Sequence, residues 1–206
     1  MGPPSLIYAS IHTVKKLMAH KFAKIAFTES VRAEQQSNGS RAAYSSWGEG
    51  PDIHESLTQR EATFIAQRDS FYMATVSETG WPYVQHRGGP AGFVQVLNEK
   101  NPGFSDYTWN RQYISVGNMR QDDQVSLFFL DYPNRQRLKL LGRSRLVENG
   151  EVELLNQLTV TGYRARVERS LVITVEAFDW NCPQHITPRF TESQIMQLKQ
   201  NMSESL

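Results

Sequence analysis

Cysteine occurs once in this sequence, at Cys182. A single thiol excludes an internal disulfide and a structural zinc site, which draws several Cys and His ligands at set spacings. Long apolar runs are missing as well: none approaches the ~20 residues that would span a bilayer. Near the start, Lys15, Lys16 and His20 interrupt any apolar centre, so no signal-peptide pattern is expected there. An excess of one charge is also lacking. Lys and Arg number 22 against 21 Asp and Glu, which implies no basic face for sequence-independent nucleic-acid binding. The expectation is a soluble, cytoplasmic protein with neither a membrane nor a nucleic acid as partner.

Several catalytic signatures are absent too. There is no G-x-x-x-x-G-K-[ST] phosphate loop, no G-x-G-x-x-G fingerprint, no G-x-S-x-G elbow and no H-E-x-x-H. The five histidines, His12, His20, His54, His86 and His185, are far apart in sequence, with no two at ligand spacing, so no metal is expected.

What is present suffices for one sizeable core: 206 residues, 39% of them hydrophobic. Over 5–25, Ile7, Ile11, Val14, Leu17, Met18, Phe22 and Ile25 recur at steps of three and four among lysines. That spacing predicts an amphipathic helix whose apolar stripe packs on this subunit or a partner, or lies on a membrane surface. Residues 34–56, rich in Ser, Gly, Gln and Asn, read as a loop. A short helix follows from Leu57, with Thr58 and Glu61 as its capping box.

From residue 70 the pattern turns to β. Strands are expected at 71–77, 83–87, 93–97, 103–107, 125–130, 137–147 and 171–178, with helices at 110–119, 151–158 and 191–200. Strands with few, short helices between them favour an antiparallel barrel of six or so strands over a doubly wound sheet.

Polar and basic residues gather at the strand ends. Gln85, His86 and Arg87 close the second strand, ahead of Gly88 and Gly89; Asn110, Arg111 and Gln112 open the following helix. Arg135, Arg137 and Lys139 alternate along one face of the long strand. A helix N-terminus already favours an anion, and guanidinium groups suit bidentate contact with phosphate. Each piece also has a plain reading: a solvated charge, a decorated strand face, a tight turn. Together they point to a phosphate-bearing ligand.

The order of these pieces resembles the pyridoxamine 5'-phosphate oxidase-like group. The matching features are the strand, Gly-Trp-Pro turn and polar strand at 71–87, the Asn-Arg-Gln at 110–112, the apolar strand at 125–130 and Arg-Leu-Lys-Leu-Leu-Gly at 137–142. The C-terminal FDWNCPQHITPRF at 178–190 adds Trp180 and Arg189. The resemblance runs from about 57 to 190 and implies a mostly β fold with peripheral helices, a six-stranded antiparallel split β-barrel of the FMN-binding type. Residues 1–56 would form an N-terminal helix and loop extension, and 57–206 the FMN-binding domain with its C-terminal helix.

The resemblance further implies a homodimer with FMN at the subunit interface. Gln85, His86, Arg87 and Gly88 would line the flavin, Asn110, Arg111 and Gln112 would hold its phosphate, and Arg137, Lys139, Trp180 and Arg189 would complete the site. His86 and His185 are the candidates for proton handling, since imidazoles titrate near neutrality. Gly89-Pro90 stands where the oxidase carries a substrate-binding lysine, and the oxidase's Arg-Leu-His triplet has only Gln184-His185-Ile186 as counterpart. The expected activity is therefore oxidoreduction of an unidentified small molecule, with the hydride from NAD(P)H or from the substrate itself, rather than oxidation of a pyridoxamine phosphate. A non-catalytic flavin or deazaflavin carrier or sensor is the alternative; haem fits the phosphate corner poorly.

Overall fold

The computed structural model describes residues 19–48, 52–108, 110–180 and 182–204. In chain order the elements are β1 (Ala19–His20), α1 (Lys21–Ala26), α2 (Glu29–Ser37), a 3-10 helix (Arg41–Gly48), β2 (Asp52–Ile53) and α3 (Gln59–Ala66). Then come β3 (Ser70–Val76), β4 (Pro82–Gly88), β5 (Val94–Asn98), β6 (Asn101–Tyr107) and α4 (Ile114–Gln121). The chain closes with β7 (Gln124–Asp131), β8 (Gln136–Leu146), α5 (Val152–Leu158), β9 (Val167–Trp180) and α6 (Glu192–Glu204).

Local chemistry explains most boundaries. The capping box expected at Thr58 and Glu61 is present and starts α3. The β3–β4 hairpin turns at Gly80, whose φ of 84° suits glycine, with the Ser77 N–H bonded to the Trp81 carbonyl at 3.0 Å. The expected loop over 34–56 is instead largely α2 and the 3-10 helix: the Thr28 hydroxyl accepts from the Val31 N–H and caps α2. Most of the helix expected over 5–25 lies outside the described residues; within them only Lys21–Ala26 is helical.

β3 to β9 form one antiparallel seven-stranded sheet in the order β4-β3-β7-β8-β9-β6-β5. Its inner face carries Phe71, Met73, Leu127, Phe129, Leu138, Leu140, Leu171 and Ile173, all essentially buried. Helix α3 adds Phe64 and Ile65. The ring of Phe71 sits 5.1 Å from Phe104 and 5.0 Å from Phe129, and each buried ring contributes about 1.5–3 kcal/mol. At the β8–β9 bulge a Cβ on Gly142 would come 2.6 Å from the Thr174 carbonyl, so the two strands close up only over glycine.

The six-stranded split barrel expected from the sequence is therefore not formed. Seven strands make the sheet, and among the described residues no backbone ladder joins its edges, β4 and β5. The sheet curls enough for β4 side chains to meet β6, but contact there is by side chains alone. Helices occupy a share of the chain comparable to strands, so the fold is mixed α and β rather than mostly β. Among the described residues no helix is long and apolar enough to cross a membrane.

Candidate active site

The alternation of β4 divides the Gln85, His86, Arg87 triplet. Tyr83, Gln85 and Arg87 share the face of their β3 partners Thr75, Met73 and Phe71, which point to the core. His86 points the other way, its ring 5.5 Å from that of Tyr72. Above the inward face lies the segment before α4. The Thr108 N–H bonds the Arg166 carbonyl at 2.9 Å, and the Asn110 side chain accepts from the Gln112 N–H at 3.2 Å. Arg111 and Tyr113 both hold left-handed backbone, with φ of 60° and 56°. Two such non-glycine residues within three positions fold the segment tightly over the cleft. Tyr113 starts α4 without a side-chain cap, so the first helical N–H groups stay available.

A continuous polar network ties this segment to the sheet. The Ser115 hydroxyl donates to the Gln85 amide oxygen at 3.0 Å, fixing α4 to β4. Arg111 donates to the Tyr113 hydroxyl at 3.1 Å, and that hydroxyl donates to Glu168 at 2.6 Å. Arg169 pairs with Glu168 at 2.8 Å, lies over the Tyr113 ring at 4.9 Å, and approaches Asp106 at 3.9 Å. Asp106 in turn pairs with Arg87, closing the gap between β4 and β6.

Arg87 and Asp106 are only 10% and 12% exposed. Burial lowers the Arg87 pKa and raises that of Asp106, each opposed by the partner's charge. An arginine stays protonated regardless, so the pair remains ionic, with Arg169 as a second cation for Asp106. Among the described residues, two buried donors in this region have no hydrogen-bond partner: Arg87 Nε and the Tyr107 hydroxyl. Burial, then Tyr163, raises the Tyr107 pKa, keeping the phenol protonated and able to donate. The adjoining cleft measures about 550 Å³, within the range of small-molecule sites, and its walls include Tyr83, Gln85, Arg87, Asp106, Tyr107 and Tyr163. A narrower crevice continues from it to Asn110, Arg111 and Gln112.

Gln85, Arg87, Asn110, Arg111 and Gln112 thus converge within one chain. His86 and Gly88 also border the cleft; the remaining expected site residues do not reach it within one chain. Arg137 and Lys139 alternate with the buried Leu138 and Leu140 and so occupy the outer face of β8. Lys139 sits 3.7 Å from Asp179 and over the Phe22 ring of α1. Trp180 donates to Glu61 at 2.7 Å and packs on Phe64, bracing α3. Arg189 lies over Tyr132 beside a separate groove of about 630 Å³. His185 is exposed. A Cβ at Gly88 would come 3.1 Å from the His86 ring, and one at Gly89 would come 2.7 Å from Phe93, so side chains of the chain itself approach both glycines.

Asp106, Tyr107, Tyr113, Ser115, Glu168 and Arg169 were not singled out from the sequence. Asp106 had a legible signal: a lone acid in a strand otherwise built of Gly103, Phe104 and Ser105. Tyr113 and Arg169 had none, because only the fold brings their elements together.

By fold the chain is similar to HupZ of Group A Streptococcus, with a TM-score of 0.50 at 16% identity over 65% of this chain and 99% of that one. An FMN-binding protein from Syntrophomonas wolfei aligns with a TM-score of 0.45 at 13% identity, over 75% of this chain and 96% of that one. A heme storage protein from Vibrio cholerae, HutZ, aligns with a TM-score of 0.40 at 16% identity, over 60% and 93%. No curated protein matches the chain in sequence. The sequence profile described as pyridoxamine 5'-phosphate oxidase matches residues 57–179, more than half of the chain, and the protein belongs to that family.

Proposed function

We propose that the cleft between β4, β6 and the segment before α4 binds FMN, and that the protein is an FMN-dependent oxidoreductase acting on an unidentified small, planar molecule. The observation that carries this reading is the convergence of Asn110, Arg111 and Gln112 at the uncapped start of α4 with the buried Arg87, Asp106 and Tyr107 group. The residues fit such a cofactor: cationic and amide donors serve a phosphate, and the buried, unpartnered Tyr107 hydroxyl and Arg87 Nε serve carbonyl acceptors.

FMN, when bound, supplies the hydride-transfer chemistry, with the hydride drawn from NAD(P)H or from the substrate itself. The chain's own residues bind and orient. Arg111 brings its guanidinium to the phosphate, held in place through Tyr113 and Glu168. Gln85, fixed by Ser115, sets the position of β4 against α4. The Arg87 charge is compensated by Asp106, so Arg87 acts as an oriented donor rather than a free cation. Arg137 lies on the opposite face with its buried Nε unpartnered, and a second copy of the chain would bring it to the site, giving a homodimer.

Flavin or deazaflavin binding without turnover is the second reading. It is favoured by the placement of His185, which is exposed and outside the cleft, and of His86, which stands at the cleft's border with its ring against Tyr72. Titrating the apoprotein with FMN tests the first claim: the absorbance and fluorescence of the flavin should change with saturation near one per chain. Arg111→Ala should weaken FMN roughly tenfold to a hundredfold by removing a charge-assisted contact, with unfolding unchanged. Unaltered FMN affinity in that variant would refute the assignment of the phosphate corner. NAD(P)H oxidation above the free-flavin rate then separates the enzyme from the carrier.

A further inference from the structure

His20 and His54 meet where the N-terminal segment joins the sheet, away from the cleft. Their Nδ1 atoms are 3.1 Å apart and their rings meet edge-on at 4.3 Å. His20 is stacked on Trp47 at 4.3 Å, and the His54 ring lies 5.0 Å from Phe178. His54 holds left-handed backbone, φ 61°, and its carbonyl accepts from the Phe178 N–H at 2.8 Å. Around this contact β1 pairs with β2 in parallel, Lys21 and Lys24 both reach Asp52, and Phe22 covers Lys139. The two imidazoles therefore stand at the centre of the junction that lays residues 19–26 on the outer face of the sheet.

A nitrogen-to-nitrogen contact at 3.1 Å requires one ring to donate and the other to accept. A single shared proton satisfies it, whether the pair is neutral or carries one charge. Two fully protonated rings would point N–H at N–H and repel. The surrounding charges set the balance. Asp179 on β9 favours protonation of both rings, though Lys139 is paired with it; Glu61 on α3 favours protonation of His54, and Arg60 opposes it. Burial outweighs these and holds both groups below the ordinary histidine value, with His54 lowering His20 further. A histidine held low in the folded protein binds fewer protons than in the open segment. Its contribution to docking is complete above about 6.5, and it is lost as pH falls through that value towards the lowered ones.

We propose that the contact between His20 and His54 is an acid-sensitive latch: near neutral pH it holds residues 19–26 on the sheet, and protonation of both rings releases them. Release uncovers Lys139 and removes the Ile25 wall from the apolar groove it shares with Val76 and Leu141. The latch stands independently of what the cleft binds.

Hydrogen exchange of the full chain, corrected for the intrinsic pH dependence, tests it at pH 7.5, 6.5 and 5.5. Amides of residues 19–26 should lose about tenfold in protection between the first and last, while those of β7 and β8 hold. His20→Phe and His54→Asn should remove the step; Asn tolerates the left-handed backbone at 54. Variants unprotected at every pH also support the latch, because the contact is then what holds the segment. Equal protection of the native segment at pH 7.5 and 5.5, or the same step in His20→Phe, overturns it.

Discussion

The inner and outer faces of the sheet are built from the same alternating strands, yet they hold their charges differently. On the inner side of the curl, Arg87, Asp106, Arg169, Glu168, Tyr113 and Arg111 form one connected chain of contacts, with its base almost wholly buried. On the outer side the cations of β8 pair locally. Arg143 meets Asp123 at 2.7 Å and Glu176 at 3.3 Å, and Arg145 meets Glu151 at 2.7 Å, both arginines about half exposed. Solvent screens such outer pairs, and each can rearrange without consequence for the rest. The inner network is enclosed, so its members constrain one another and hold donors in fixed directions. Within one chain, the strand-end arginine that joins an enclosed network is Arg87, which the curl of the sheet surrounds.

Breaking the base of the inner network should have the largest effect. Asp106→Ala leaves Arg87 buried with no carboxylate partner on β6, and stability should fall by about 3–5 kcal/mol in urea or thermal unfolding. A loss near that of an exposed ion pair would erase the distinction between the faces.

A smaller effect is expected at Trp180, which the structure places on α3 rather than in the cleft. Trp180→Phe strands the buried Glu61 oxygen and should cost about 1–3 kcal/mol, with FMN affinity within about twofold of the native chain. A large drop in affinity would move Trp180 to the cofactor.

Glu61 itself gives the pH dependence. Burial works against its ionised form, but hydrogen bonds from Thr58 and Trp180 outweigh it and hold the Glu61 pKa below its ordinary 4.5. Its stabilisation is thus complete above about 4.5 and is lost as pH falls through the lower folded value. Urea midpoints measured from pH 6 to 3 should fall more steeply for the native chain than for Glu61→Gln; parallel curves would contradict the assignment.

Arg143→Ala should do least, leaving the unfolding midpoint within measurement error. A marked shift there would show that the outer pairs are more than local.

Much of the framework was legible because it depends on neighbours in sequence. Apolar and alternating runs bounded by turn residues marked the strands of the sheet, and the Thr58 and Glu61 spacing marked the start of α3, since both follow from backbone geometry over a few residues. The site was legible in half. Gln85, Arg87 and the Asn-Arg-Gln segment stood out as polar groups at strand and helix ends, and they do converge. Arg137, Lys139, Trp180 and Arg189 stood out equally and do not join them within one chain. Their side chains are directed by an alternation whose inward sense depends on which face the sheet curls around. His86 was grouped with its neighbours although a single step along a strand reverses the side chain.

The sequence by itself determined where the strands of the sheet and the start of α3 lie, which residues of each strand share a face, and that the charges balance overall. These are short-range properties of backbone period, capping and composition. Only the tertiary structure decided that the sheet stays open, that β4 meets β6 through Arg87 and Asp106, and that Tyr113 bridges Arg111 to Glu168. Those contacts depend on twist accumulated across seven strands and on the bulge at Gly142. Both are set by packing between residues far apart in the chain, which no local pattern records.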